Sequence, residues 1–534
     1  MTLVNVSADT LFEDDNLNKN QIIEEKSSII HEDANYESKQ RKDKNKYKYR
    51  FGICPKCYGP NNISAWCYQC DNQNLIANFQ SSGNHVIDEF LLNNQRDSSG
   101  KYFEWIPFDR FENIKHLADG GFGKVYTATW LDGEKTVDEI DDPNMAFELI
   151  NHVSPDNKCF LDNMMVKPPR IEIRKRTPPI TVVLKSLCNS HDISMEFLSE
   201  LRIHHELDSF VPECYGITKD PAQDEYMMVF KYIRGGEFRH WIKKKGVHLE
   251  WAKRIALLTA ITHRLEYIHN YKIIHRDIHG GNVLLDTMID DITEDNKLNV
   301  IFITDFGLSR PANTPFSTPE GTFGIMSYMA PELLIGQKHT FASDVYSLGI
   351  LMWELAANGK TAFGDLKHDQ SLMYSIYKGR RPSIPPNTPQ CWSDLMQKCW
   401  DTDPNKRPTA EILYSIVNPW SRWYKDLENA KSYEYELDNR NIEDDGNIFP
   451  YPNDPEIFVE HDEGCRILYL PKQNAVDIHR QFQEAEEARL NLAKTVKKEE
   501  ADSIYRSQFI SYITPKDNES FQSDQDDSFW NISK

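Results

Sequence analysis

The sequence predicts an α+β protein, because β-like runs precede helical patterns within one globular region, residues 111–420. The β-like runs lie at 124–130, 180–187 and 226–231. The helical patterns follow at 251–270, 342–357 and 390–400. Apolar residues make up 40% of the chain and aromatic residues 11%, which is enough for a packed core. We therefore expect a small β-rich half followed by a larger helical half.

Length and charge restrict the classes of function. The chain has 534 residues and a formal charge of −21, and at roughly 150 residues per domain this length predicts two to four domains. Such an acidic chain lacks the excess of Lys and Arg that phosphate neutralisation requires, so nucleic-acid binding is not expected. No run of 18 apolar residues and no apolar stretch behind a basic N-terminus exists, which excludes a predicted membrane span or secretory signal. We expect a cytoplasmic location, with a nuclear one as the alternative, and mostly reduced cysteines.

The segments outside the globular region differ in composition. Residues 1–50 are polar and charged, which predicts disorder. Their basic run is interpreted as a solvated linker, with a nuclear signal or a contact with acidic partners as the alternatives. Residues 51–72 hold a cysteine module, and residues 73–110 form a connector with one amphipathic helix near 84–94. Residues 132–179 interrupt the globular region with poor periodicity, which predicts a mostly flexible insertion.

The C-terminal segment, residues 421–534, is acidic. It contains 14 Lys and Arg against 25 Asp and Glu, a net charge of −11. Residues 476–494 have apolar side chains at the spacing of an amphipathic helix. The rest of this tail is predicted to be disordered, since it has too little apolar surface to bury.

A glycine-rich stretch and a strand lysine indicate phosphate handling. The sequence DGGFGKVY, residues 119–126, places glycines beside a strand, where backbone N–H groups can approach phosphates. A glycine-rich hairpin turn is the alternative for this motif alone. Lys185 ends the apolar strand VVLK, where a lysine is rare unless it is paired. Glu200 in the helical pattern 194–207 is the candidate partner, and an ammonium held by a carboxylate can orient the α- and β-phosphates of ATP.

Three later motifs carry residues for acid–base chemistry and metal binding. In IIHRDIHGGNVLL, Asp277 can accept a hydroxyl proton and Asn282 can ligate Mg²⁺. The motif ITDFGL adds the carboxylate of Asp305, and the tripeptide Ala-Pro-Glu ends at Glu332. A single loop Asp is more often a turn or cap residue than a base. The order of these motifs along the chain, however, is the signature set for phosphoryl transfer to protein.

At these residues the sequence resembles the eukaryotic protein kinase family, over roughly residues 111–417. The segment DVYSLG is similar to the start of the large buried helix of the family, whose Asp, here Asp344, holds the catalytic loop. The pattern CW…DP…RP resembles the segment whose Arg, here Arg407, pairs with Glu332. Both sequence patterns are similar to those of the tyrosine-kinase-like group. The whole arrangement, with the upstream cysteine module and residues 105–126, resembles the kinases expanded in arbuscular mycorrhizal fungi. The resemblance implies the bilobal kinase fold, with a β-rich N-lobe and a helical C-lobe, preceded here by a small zinc ribbon.

The resemblance also implies roles for matching residues. The implied catalytic set is Asp277 as the base, with Lys185, Glu200, Asn282, Asp305 and Arg276. The implied ATP contacts are Leu117, Ala118, Gly120, Gly123, Val125, Lys185, Phe230, Lys231 and Tyr232. Asn282 and Asp305 are the implied Mg²⁺ ligands. Phe230 is the implied gatekeeper, a bulky residue that narrows the pocket behind the adenine.

Three positions depart from the family pattern. Ala118 replaces the first glycine of the loop, which predicts lower loop mobility. His279 stands where Ser/Thr members usually have Lys, and Ile325 stands where they usually have Thr. These departures leave the specificity for the acceptor hydroxyl undecided. Ser/Thr specificity is favoured, and dual or tyrosine specificity is the alternative.

Arg276, directly before the implied base, indicates regulation by phosphorylation. Such an arginine can pair with a phosphate on the following loop and order it. The candidate acceptors are Ser309, Thr314, Ser317, Thr318 and Thr322. Most of them are expected to be ordinary solvated hydroxyls.

The cysteine module predicts a structural metal site. Cys54 and Cys57 form one CxxC pair, Cys67 and Cys70 form a second, and nine residues separate the pairs. Four thiolates make a closed tetrahedral Zn²⁺ site, and a reducing compartment disfavours two disulfides. A redox or unliganded module is the alternative. So short a segment has no core of its own, so its folding is expected to depend on zinc.

The leading hypothesis is an ATP- and Mg²⁺-dependent protein kinase that phosphorylates protein substrates in signal transduction. A pseudokinase scaffold is the second hypothesis, and adaptor binding through the zinc module or the acidic tail is the third. The presence of all five key residues favours activity: Lys185, Glu200, Asp277, Asn282 and Asp305.

Overall fold

The structure is a computed structural model of the 534-residue chain. It describes residues 54, 56–57, 59, 61, 66–77, 79–95, 103–119, 123–140, 171–186, 195–207, 210–286, 301–311, 321–425, 457–459, 466–468, 475–494 and 508–511. The chain divides into two compact units, Met1–Tyr102 with Asp132–Pro178, and Phe103–Leu131 with Pro179–Lys534.

The described strands are β1 (Glu104–Trp105), β2 (Phe111–Asp119), β3 (Lys124–Trp130), β4 (Lys135–Ile140), β5 (Ile171–Arg176), β6 (Ile180–Ser186), β7 (Cys214–Asp220), β8 (Glu225–Lys231), β9 (Gly236–Glu237), β10 (Ile273–Ile274), β11 (Val283–Leu285), β12 (Ile301–Ile303), β13 (Arg310–Pro311), β14 (Gly321–Gly324), β15 (Ile457–Val459), β16 (Arg466–Leu468) and β17 (Gln508–Ser511). The described α-helices are α1 (Tyr68–Ala77), α2 (His85–Gln95), α3 (Met195–Leu207), α4 (Phe238–Lys245), α5 (Trp251–Asn270), α6 (Pro331–Leu334), α7 (Phe341–Ala356), α8 (Gln370–Tyr377), α9 (Gln390–Cys399), α10 (Ala410–Val417), α11 (Trp420–Lys425) and α12 (Ala475–Ala493).

The first unit contains α1, α2 and the strand pair β4–β5. The helix predicted near residues 84–94 is present as α2, and Asn84 caps it by accepting the backbone N–H of Val86 at 2.9 Å. The flexible insertion predicted for 132–179 is wrong at both ends, where β4 and β5 pair antiparallel from Lys135↔Arg176 to Ile140↔Ile171. Local periodicity does not reveal this pairing because the partners lie far apart in sequence. The middle of the insertion, residues 141–170, lies outside the described residues.

The second unit begins with a six-stranded sheet in the order β1-β7-β8-β6-β3-β2. Adjacent strands of this sheet pair antiparallel, except that β1 and β7 pair parallel. Along β6 the buried residues alternate, so Val182 and Leu184 enter the core together with Trp130 and Val229. This alternation turns Lys185 to the opposite face of the sheet, which is where the site forms.

Helices make up most of the rest of the second unit, as the sequence predicts, together with the short strands β9–β17. The helix α7 is buried along almost its whole length, which is typical of a helix at the centre of a core. Thr340 begins α7 with a capping box that it forms with Ser343. Gly349 lies against α9, since an added Cβ would approach the Cβ of Cys399 to 2.8 Å. This close packing holds α7, and with it Asp344, in a fixed place.

The C-terminal tail contains the predicted helix and, where disorder was predicted, the short strands β15, β16 and β17. The helix predicted for 476–494 is present as α12. It packs on the helical core through Phe482, which is 0% exposed and lies 5.8 Å from the Trp251 ring and 5.5 Å from the Trp420 ring. The apolar spacing that predicted this helix corresponds to its buried side, which includes Ile478, Phe482 and Ala485. In the part of the chain that the structure describes, no helix is long and apolar enough to cross a bilayer.

Candidate active site

A lysine with two carboxylates forms the centre of the site. Lys185 on β6 lies 2.6 Å from Glu200 Oε1 on α3 and 2.9 Å from Asp305 Oδ1. Burial would lower the pKa of Lys185, but the charges of Asp305 and Glu200 outweigh it and raise this pKa. Burial would likewise raise the pKa of Asp305, and the Lys185 ammonium outweighs that and lowers it. The three groups therefore form a charged network, as the sequence predicts for Lys185 and Glu200.

A short loop between β10 and β11 presents Asp277 and Asn282. The amide nitrogen of Asn282 donates to the backbone carbonyl of Asp277 at 2.9 Å and to Asp277 Oδ2 at 3.3 Å. Both side chains are buried. Because the amide nitrogen is held in this way, the amide oxygen of Asn282 is available to another ligand.

Asp344, at the start of α7, anchors the loop between β10 and β11. Its carboxylate accepts the backbone N–H of His275 at 2.8 Å and that of Arg276 at 2.9 Å. Asp344 is 1% exposed, and burial would raise its pKa, but the contact with His269 outweighs burial and lowers the pKa. Arg276 has φ of +73°, a left-handed conformation that costs energy in a residue other than glycine. The buried carboxylate thus stabilises a strained loop, which is the role that the resemblance implies for Asp344.

A chain of four rings in tilted or edge-to-face contact connects this loop to the sheet. Phe230 on β8 lies 4.7 Å from His204 on α3, His204 lies 5.4 Å from Phe306, and Phe306 lies 4.9 Å from His275. Burial and the nearby Lys185 charge lower the pKa of His204 to about 3, so this ring is neutral. The buried ring of Phe230 thus packs against α3 through His204.

His279 lies beside the implied base. Its Nε2 is 3.6 Å from Asp277 Oδ2, and its Nδ1 accepts the backbone N–H of Gly281 at 3.0 Å. Since Nδ1 is an acceptor, the proton of the neutral ring is on Nε2, which faces Asp277. Gly281 has no room for a side chain, because an added Cβ would lie 2.9 Å from the His279 ring.

The predicted ATP contacts lie on adjacent strands and the following turn. Val125 on β3 pairs directly with Lys185 on β6, and Ala118 on β2 pairs with Val125. Leu117 is exposed, Gly123 is buried, and Lys231 Nζ lies 3.4 Å from Asp286 Oδ2. Tyr232 follows β8 directly. Gly120 lies outside the described residues.

The loop after Asp305 contains the predicted phosphate acceptors. Ser309 is fully buried and donates to the carbonyl of His275 at 2.9 Å, so its hydroxyl is not accessible. Thr314, Ser317 and Thr318 lie outside the described residues, and Thr322 belongs to β14.

The end of this loop is fixed by a buried ion pair. Arg407 donates to both carboxylate oxygens of Glu332, at 2.7 Å each. This bidentate pair confirms the pairing that the resemblance implies.

Sequence reasoning missed one element near the site. The tail strand β17 pairs antiparallel with β14, from Gly321↔Ser511 to Gly324↔Gln508. A four-residue strand in an acidic tail has no local signal strong enough to reveal it.

The cysteine module lies in the first unit. The four Sγ atoms of Cys54, Cys57, Cys67 and Cys70 all lie within 4.8 Å of one another, with 3.6 Å between those of Cys57 and Cys67. The backbone N–H of Cys54 donates to the carbonyl of Gly59 at 2.8 Å, which closes a tight turn around the first pair.

The fold and the site define a protein kinase domain, with a β-sheet lobe and a helical lobe on either side of Lys185 and Asp277. Residues 165–417 match the family model described as protein tyrosine and serine/threonine kinase, so the chain contains a domain of the eukaryotic protein kinase family. The match begins within the insertion, although β2 and β3 upstream of it belong to the same sheet.

Curated relatives agree with this class. A probable serine/threonine-protein kinase of Dictyostelium discoideum is 30% identical over 216 residues, which is 38% of this chain and 12% of the relative. The dual specificity protein kinase splA of the same organism is 32% identical over 223 residues, 40% of this chain and 9% of that protein. The chain thus spans only about a tenth of the length of these relatives.

Proposed function

We propose that this chain is an ATP-dependent protein kinase that transfers the γ-phosphoryl group of ATP to Ser and Thr hydroxyls of protein substrates in signal transduction. The single observation that carries the proposal is the assembled network in which Lys185 contacts both Glu200 and Asp305. A scaffold without catalysis has no need to hold these three charges within hydrogen-bonding distance, because burying them costs free energy.

Each residue has a chemical task in the proposed reaction. Lys185, held by Glu200, orients the α- and β-phosphates, and Asp277 accepts the proton of the substrate hydroxyl. The free amide oxygen of Asn282 and the carboxylate of Asp305 fit the oxygen ligands that Mg²⁺ prefers, and these two residues would hold it. When bound, Mg²⁺ neutralises charge on the transferred phosphoryl group.

His279 accounts for one departure from the family pattern. Its Nε2–H faces Asp277 at 3.6 Å, and its other nitrogen is held by the backbone of Gly281. We infer that His279 donates a hydrogen bond where Ser/Thr members have Lys, either to the base or to the transferred phosphoryl group. A donor with a fixed orientation at this point supports activity despite the substitution.

The acceptor hydroxyl is the finer part of the proposal. One curated relative is a Ser/Thr kinase by name and another is a dual specificity kinase, and both names describe those proteins. Ser/Thr specificity is favoured, with dual or tyrosine specificity as the alternative. The test is to incubate the full chain with Mg²⁺ and labelled ATP and then identify the labelled residues. Label on Ser and Thr supports the proposal, and label confined to Tyr contradicts it.

Membership in the tyrosine-kinase-like group, and in the set expanded in arbuscular mycorrhizal fungi, is part of the proposal. It is supported by the DVYSLG wording at the start of α7 and by the CW…DP…RP wording at α9. We also propose a cytoplasmic location, because closely spaced thiols stay reduced there, and adaptor contacts through the cysteine module or the tail.

A structural Zn²⁺ at the cysteine module completes the proposal. Tetrahedral zinc with Zn–S bonds of about 2.3 Å places sulfur atoms about 3.8 Å apart. The 3.6 Å between Cys57 and Cys67, and the spread of at most 4.8 Å over all four sulfur atoms, fit this requirement. Because all four positions are protein ligands, the ion would stabilise the module and take no part in phosphoryl transfer.

A further inference from the structure

The tail strand β17 pairs with β14, a strand of the loop that runs from Asp305 to Glu332. β14, Gly321–Gly324, is the last strand before Ala330-Pro331-Glu332, and β17, Gln508–Ser511, is its antiparallel partner. In sequence the two strands are almost two hundred residues apart. Their pairing therefore places one defined part of the tail, residues 508–511, along the edge of β14.

The register relates this pair to the catalytic base. Gly324, the last residue of β14, is so close to Asp277 that a Cβ added to it would lie 3.9 Å from Asp277 Oδ1. Gln508 is the residue of β17 opposite Gly324. The residue of β17 that pairs with Gly324 is thus a glutamine, which has no hydroxyl group to accept a phosphoryl group.

One apolar side chain anchors the strand. Ile510 is 6% exposed and belongs to the large hydrophobic core of the helical lobe. Backbone pairing gives general affinity for an extended segment, and a buried side chain at one position gives specificity. The edge of β14 therefore has the two properties of a site that accepts extended peptides.

We propose that the edge of β14 is a docking site for extended peptide segments and that residues 508–511 are its resident occupant, which competes with protein substrates. The proposal deepens the proposed kinase function and rests on it. The tail segment combines a residue without a hydroxyl group opposite Gly324 with an apolar anchor at Ile510, so it occupies the edge without being phosphorylated at the position opposite Gly324.

Competition has a measurable size. When an internal segment occupies a site for about nine-tenths of the time, only the remaining tenth of the molecules binds a substrate peptide, and the apparent KM for that peptide rises about ten-fold. The KM for ATP stays unchanged, because ATP binds at Lys185 and not at β14. Loss of docking therefore lowers the KM for the peptide and does not change the KM for ATP.

The experiment compares three full-length proteins, namely the wild type, Ile510→Glu and Leu490→Glu. Ile510→Glu puts a charge into a buried position of the docked strand. Leu490→Glu is the matched control, since Leu490 lies on the tail helix α12 and is 49% exposed. Two quantities are measured for each protein: the KM values for a generic Ser/Thr peptide and for ATP, and the amide hydrogen exchange of residues 321–324.

We expect Ile510→Glu to lower the peptide KM by about five- to ten-fold, with an unchanged ATP KM and faster exchange in 321–324. Unchanged exchange and an unchanged peptide KM overturn the docking proposal. Phosphate on a residue of 508–511 in the wild type also overturns it, because the segment is then a substrate. The exchange measurement needs no catalysis, so it decides the docking proposal even if the chain transfers no phosphate and the proposed function fails.

Discussion

The anchoring of the catalytic loop by Asp344 predicts the effect of one small substitution. In Asp344→Asn the side chain keeps its shape but replaces one of two acceptor oxygens with an N–H donor. At least one of the bonds from His275 N and Arg276 N, now 2.8 and 2.9 Å long, is lost. A hydrogen bond to a charged group contributes about 1.5–3 kcal/mol. The strained φ of +73° at Arg276 then lacks its stabilising partner.

We expect a loss of about 2 kcal/mol in the free energy that holds the loop in its active geometry, which corresponds to a roughly 30-fold lower kcat. The assay is steady-state phosphorylation of a peptide at saturating ATP, combined with thermal unfolding. Asp365→Asn is the matched control, since Asp365 is exposed and lies in the same lobe. A kcat of Asp344→Asn within three-fold of the wild-type value would refute the reasoning.

Three further predictions concern other parts of the chain. Cys54→Ser removes one of the four proposed zinc ligands, so metal analysis should show zinc bound to the wild type and lost from the variant, and retention of one zinc ion per chain in the variant would contradict the proposed site. Phe482→Ala should lower the free energy of unfolding of the helical lobe by about 3–5 kcal/mol in chemical denaturation, because its ring is fully buried. The exposed control Leu490→Ala should change this free energy by less than about 0.5 kcal/mol. Equal effects of the two substitutions would show that α12 is not packed on the lobe. Burial and the Lys185 charge hold the pKa of folded His204 at about 3, below its unfolded value, so its contribution to stability is fully present well above pH 6.5 and decreases by about 1 kcal/mol between pH 6.5 and 5.5. Chemical denaturation at pH 7.5 and 5.5 should show a smaller pH dependence in His204→Asn, and an unchanged dependence would contradict the assignment.

The contact between Lys185 and Glu200 was predictable from the sequence, because the motifs that carry them occur in the order typical of phosphoryl transfer. Lys185, Glu200 and Asp305 are distant in sequence, yet each lies in a motif whose local pattern identifies it. The pairing of Arg407 with Glu332 followed from the resemblance in the same way. Long elements with clear periodicity, such as α5 and α7, were also predictable, since burial determines their pattern.

Other features depend on contacts that no local pattern contains. The pairing of β4 with β5 joins the two ends of an insertion, and that of β14 with β17 joins the tail to the kinase domain. The chain of rings through His204 and Phe306 requires the packed structure, because neither ring has a sequence neighbour in it. A histidine on a helix is more often a surface residue, so its burial was not foreseeable.

The central claim is that Asp277 is the base of a phosphoryl transfer reaction. The most direct measurement is the incorporation of labelled phosphate from ATP into a protein substrate by the wild type, by Asp277→Asn and by the exposed-site control Asp365→Asn. General-base catalysis contributes about 10²–10⁴-fold, so Asp277→Asn should lose at least about 100-fold in rate while it unfolds at the wild-type temperature. Asp365→Asn should match the wild type. If Asp277→Asn keeps more than about a tenth of the wild-type rate, Asp277 is not the base and the account is contradicted.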